Sequence, residues 1–255
     1  MLFSRLKRDL THLYLLFVLL VGVVSCASKS KDTTPIPEPS EIDAKSPPTI
    51  KIQGLADGDF VSNKSSIKIK YRVENFPLGE HYQKLVVRLN SESPQELHTN
   101  SGVFELEEGL NSGANVLRLY LVRAWGESIK NPESNSVLAF YFKEKVGILP
   151  LVSKLPVLTL VSPRGEYFGE LGKKVLFDLL VQGKAAAQLK KPVMLRYSLN
   201  GALRELPLVK TVFFEHLPTG SYLLKVDLIK KPAVSGSVDL AHEEMLFQIK
   251  DEIKE

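Results

Sequence analysis

The residues of this 255-residue chain that could do chemistry are few and widely separated. Cys26 is the sole cysteine, so it can carry a thioether but cannot form a disulfide within the chain. His81, His98, His216 and His242 follow it, and no two are spaced i, i+2 for a strand or i, i+4 for a helix, the separations that aim two imidazoles at one metal. Ala241-His242-Glu243-Glu244 lacks the second histidine of a His-Glu-x-x-His zinc site. Asp57-Gly58-Asp59 offers two carboxylates to calcium, but calcium takes about six to eight oxygens and no other acidic motif supplies the rest. A turn accounts for that tripeptide better. The chain carries no Gly-x-Ser-x-Gly elbow, phosphate-cradling glycine loop or dinucleotide fingerprint, and nothing in it calls for a cofactor. A carboxylate pair for glycoside hydrolysis leaves no sequence signature, though small sandwich modules seldom supply the deep cleft it needs. Arg123 and Trp125, within Arg123-Ala124-Trp125-Gly126-Glu127-Ser128-Ile129-Lys130-Asn131-Pro132, are of the types most enriched at interface hot spots. They are the candidate ligand-binding residues; otherwise Trp125 caps a core or packs on a second module.

Cys26 has an informative context. Arg5, Lys7 and Arg8 precede an apolar run from Leu13 to Val24, then Ser25 and Cys26, and the polar Ser28-Lys29-Ser30-Lys31 follows at once. Charged start, short apolar core and small residue at the end make a secretory signal peptide. The run is shorter than the roughly 20 residues a membrane span needs. Val23-Val24-Ser25-Cys26 resembles the lipobox of bacterial lipoproteins, departing from it by valine at the third and second positions before the cysteine. The resemblance implies a diacylglyceryl thioether on Cys26, cleavage before it, and further acylation of the new amino terminus. Two or more chains anchor a protein stably, at about 0.8 kcal/mol per buried methylene. Ala27, where the enterobacterial sorting rule puts aspartate for inner-membrane retention, implies the outer membrane.

Removing residues 1–25 takes away three basic residues and Asp9, leaving 30 basic against 28 acidic residues and lowering the charge from +4 to +2. No clustered basic face announces nucleic-acid binding. Residues 26–47 are polar, carry Pro35, Pro37, Pro39 and Pro47, and lack an apolar period, which reads as a lipidated, disordered tether. Such a tether would average about 25 Å as a coil and reach about 70 Å fully extended.

After Pro48 the period is two. Ile67, Ile69, Tyr71 and Val73 alternate with Lys68, Lys70 and Arg72, as in a half-buried strand. The same reading predicts strands at 49–53, 84–89, 103–106, 115–123 and 136–143, then 157–161, 174–181, 193–199, 204–209, 211–215, 221–229 and 243–250. Asn200-Gly201 between two of them is a type I′ hairpin signal. Lys184–Lys190 is the one helix-prone stretch and predicts a single turn. The halves look like copies: Pro48 opens Thr-Ile-Lys-Ile and Asp57-Gly58-Asp59-Phe60, and Pro156 opens Val-Leu-Thr-Leu and Arg164-Gly165-Glu166-Tyr167. The offset stays near 110 residues through the later segments. The expected architecture is all-β: two tandem immunoglobulin-like antiparallel β-sandwiches at 48–145 and 156–250, after the signal peptide and tether. Residues 146–155 read as a linker whose apolar Val146–Val152 either continues a last strand or packs between the modules.

The strand order and the Gly-acid-aromatic turn resemble the immunoglobulin-like or fibronectin-III-like modules of bacterial surface lipoproteins, without the antibody cysteine pair. The resemblance implies a non-catalytic, lipid-anchored module that meets an envelope or surface protein, or a glycan. Two other readings stand beside it, a structural subunit of an envelope complex and a carbohydrate-active enzyme or its accessory module. Fold alone does not choose among them.

Overall fold

The computed structural model describes residues 33–35, 46–62, 64–147, 156–183, 185–186, 189, 193–208, 211–230 and 238–251. The leader, Cys26 and most of the linker lie outside the described residues.

The alternating segments form two sandwiches. In the first, β2 (Thr49–Gln53), β4 (Ile67–Glu74) and β7 (Ser101–Leu106) make a three-stranded sheet in the order β2-β4-β7. It faces a five-stranded sheet of β3 (Phe60–Val61), β9 (Asn135–Phe142), β8 (Gly113–Val122), β5 (Lys84–Leu89) and β6 (Gln95–Leu97). The core between them holds Ile67, Ile69, Val73, Leu85, Leu117, Leu119, Leu121 and Phe140. The second repeats the plan. β10 (Val157–Ser162), β12 (Lys174–Gln182) and β15 (Val212–Glu215) face the sheet β11 (Gly165–Phe168), β17 (Val238–Lys250), β16 (Gly220–Lys230), β13 (Val193–Leu199) and β14 (Ala202–Pro207). Phe177, Tyr197 and Phe214 cluster in its core with ring centroids 5.1–5.8 Å apart. The starts of β2, β4, β5 and β8 precede those of β10, β12, β13 and β16 by 107 to 109 residues, so the duplication seen in the sequence is a duplication of structure.

Four features differ from the sequence reading. Each module has one parallel pair, β3 with β9 and β11 with β17. The chain leaves β2 or β10 for the opposite sheet and runs beside the last strand in the same direction. Residues read as a turn, Gly165–Tyr167, therefore belong to β11. Within the segment read as a disordered tether, Thr33–Pro35 forms β1, which pairs antiparallel with β15. One short helix, α1 (Glu170–Lys173), arises outside the helix-prone stretch. Of that stretch only Ala185, Ala186 and Leu189 are described, and Leu189 N donates to Ala186 O at 3.2 Å; the rest lies outside the described residues. Asn200 and Gly201 form the two-residue turn between Leu199 and Ala202, with φ of 47° and 90° as type I′ requires.

Candidate functional site

β5, β8 and β12 are buried on both faces, because the outer side of the five-stranded sheet of the first module packs against the outer side of β10 and β12 of the second. Val86, Tyr120 and Val122 meet Val161 and Leu180 in one apolar cluster. Val137 and Ala139 meet Val157 in another. The sequence carries a signal for this: near-continuous apolar runs at Leu117–Val122 and Val175–Val181, the pattern of strands with no solvent face. The period-two reading passed over it.

Among the described residues, most buried polar side chains stitch this junction. Asp178, on the outer face of β12, is 1% exposed. Its Oδ2 accepts from Ser128 N at 2.8 Å and Ser128 Oγ at 2.6 Å. Its Oδ1 accepts from Thr211 Oγ1 at 3.1 Å and from Lys130 Nζ, which also donates to Leu179 O at 2.7 Å. Gln182 accepts from Thr159 Oγ1 at 2.6 Å and reaches toward Leu119 O across the junction. Glu243 of β17 takes Arg88 on one oxygen at 3.0 Å and Arg118 on the other at 3.1 Å. Arg164 donates to Tyr120 OH at 3.3 Å from the opposite module. Asp57, its counterpart in the first copy, instead accepts from Ala139 N of β9 at 2.9 Å, within its own module. At this position the first copy makes a contact within its own module and the second makes a docking contact.

The candidate binding residues lie on the loop joining β8 to the next strand, at the rim of the junction. Arg123 N donates to Glu127 O at 2.8 Å and Gly126 N to Arg123 O at 2.9 Å, so the chain reverses tightly. Gly126 takes φ +93°, and a Cβ there would stand 3.7 Å from Leu176 of β12. Arg123 and Glu127 are buried and paired at 3.6 Å. Trp125 is 58% exposed, its Nε1 donates to Glu127 Oε2 at 3.1 Å, and the Arg123 guanidinium lies 5.2 Å from its ring centre. The structure thus separates the pair that the sequence joined: Trp125 faces solvent and Arg123 supports it from below. The core is capped by Ile129, 2% exposed. Burial, followed by the charge of Asp178, pushes the Glu127 carboxyl up, while the Trp125 hydrogen bond, Lys130 and Arg123 pull it down; the net direction is up.

The remaining sequence candidates are structural. Asp59 accepts from Ala56 N at 2.7 Å, so both aspartates of the 57–59 turn cap backbone groups. His242 bonds Asp227 at 2.6 Å on an exposed face. Among the described residues no group of histidine, cysteine and acidic side chains is placed to hold a metal ion.

No protein-family model and no curated protein matches the sequence. Among solved structures the chain is similar to the fibronectin(III)-like modules of CbhA from Clostridium thermocellum, at 14% identity over 81% of this chain and 97% of that one, with a TM-score of 0.29.

Proposed function

We propose that the chain is an exported bacterial lipoprotein, held at the envelope by acyl chains on Cys26, whose two docked sandwiches act as a non-catalytic binding unit. The short apolar leader ending in Ser25-Cys26 supports the anchor. The observation that carries the binding role is Trp125. A half-exposed indole rests on a buried, paired Arg123 and Glu127 at the rim of a locked junction. Such a side chain is already ordered before a partner arrives, which lowers the entropic cost of binding. The partner is an envelope or surface protein, or a glycan, that accepts a flat aromatic face.

Trp125→Ala tests this. Crosslinking in intact cells and a glycan array, run with wild type and variant, should show loss of a specific partner at an unchanged melting temperature. Removing an aromatic hot spot costs about 2 kcal/mol or more, roughly a thirtyfold weaker Kd. An unchanged partner profile would remove Trp125 from the binding surface.

A further inference from the structure

Three guanidinium groups gather around one carboxylate where the modules meet. Arg88 and Arg118 stand directly opposite each other on β5 and β8, a like-charge cross-strand pair that is destabilising by itself. Glu243 spans them with one oxygen to each. Arg164 approaches from the second module, donating to Val161 O at 2.8 Å, Leu160 O and the Tyr120 hydroxyl. The apolar cluster of Val86, Tyr120, Val122, Val161 and Leu180 adjoins them.

The charges in this group do not cancel. Arginine keeps its proton in proteins. Burial pushes the Tyr120 phenol up, so it stays neutral and supplies no negative charge. Burial also disfavours the charged forms of Arg118 and Arg164, and Glu243 is the one carboxylate among the neighbours that oppose it. The carbonyls of Asn90, Leu160 and Val161 contribute dipoles, not charge. Three positive groups against one negative leave a surplus of two in a place where unbalanced charge is costly. The Nε–H groups of Arg88 and Arg118 are buried and meet no acceptor among the described residues, although Arg88 is only 5% exposed.

We propose that the junction is a binding site for a small inorganic anion, held by the Nε–H groups of Arg88 and Arg118 and by the surplus positive charge shared with Arg164. Arg88 and Arg118 belong to the first module and Arg164 and Glu243 to the second, so the anion would bridge the two and favour the docked arrangement. The chemistry fits a halide or a small oxyanion such as phosphate.

The test is thermal unfolding of the full chain in a nonionic detergent at neutral pH and fixed ionic strength, with bulky gluconate replaced stepwise by chloride in one series and by phosphate in another. A saturating rise in the midpoint of roughly 5–10 °C at a hundredfold excess over Kd is expected for the anion that binds, and comparing the series identifies which one it is. Glu243→Gln removes a competing negative charge, so its midpoint should respond to lower anion concentrations than wild type. Arg118→Met should abolish the response. If the wild-type midpoint is the same in gluconate, chloride and phosphate, or drifts without saturating, the proposal is wrong and buried water serves the two Nε–H groups. The wild-type series decides this alone if a variant fails to fold.

Discussion

Trp125 is the only tryptophan in the chain, so its fluorescence reports on one carboxylate. Glu127 accepts the indole N–H, and burial holds its carboxyl above the ordinary glutamate value of 4.5. The emission of wild type should therefore titrate with a midpoint above 4.5, and the change should vanish in Glu127→Gln. The linkage sign follows from the raised folded pKa. Proton uptake favours the folded state, so this contribution is full below the unfolded pKa and is lost as pH rises through the folded one. Asp178 is held by donors from both modules, Ser128 N, Ser128 Oγ and Thr211 Oγ1. Asp178→Ala should cost about 1–3 kcal/mol in urea unfolding, the penalty for leaving the buried Ser128 N–H and hydroxyl without their acceptor. Trp125 stood out in the sequence, but the partners of Glu127 and Asp178 did not. Asp178 and Glu127 sit beside unremarkable neighbours in the sequence, and Asp178 meets its partner Ser128 across the junction, fifty residues away along the chain. Asn90 and Asn200 tell the same story on a smaller scale. Each closes its strand at positive φ and accepts from the strand beside it in the sheet, β8 at Val116 N and β16 at Leu223 N, a repeated device that no periodicity displays.

At the level of elements, period two located every long strand and most ends to within two residues, because one buried face per strand writes itself directly into alternation. β4 is the clearest case: Ile69 is fully buried and Lys68 lies on the open face. Ile69→Asp should abolish or severely lower the cooperative transition, while Lys68→Asp should stay within about 0.5 kcal/mol of wild type, both read by thermal unfolding. What alternation missed were β1, β3, β6 and β11, two to four residues long and too short to show a period. It also missed the second buried face of β8 and β12. The equivalent strands of the two modules differ there in a way that can be read back into sequence. The outer face of β4 carries Lys68, Lys70 and Arg72, and the outer face of β12 carries Leu176, Asp178, Leu180 and Gln182. One face is built for water and the other for a neighbour.

For the whole molecule, each module has its own core, and the junction adds a further apolar and ionic layer. The first module expressed alone should keep a β-type circular dichroism spectrum yet melt lower than in the full chain, because Val86, Tyr120 and Val122 lose their cover. Export and acylation are tested separately: mass spectrometry of the mature amino terminus should show an acylated Cys26, and Cys26→Ala should leave the precursor uncleaved. The junction contacts make the two sandwiches one body, with Trp125 displayed at the seam between them. Backbone 15N relaxation of residues 32–255 measures this most directly. A single rotational correlation time shared by both sandwiches is the predicted result. Two distinct and shorter times, each suited to a module of roughly one hundred residues tumbling on its own, would contradict it.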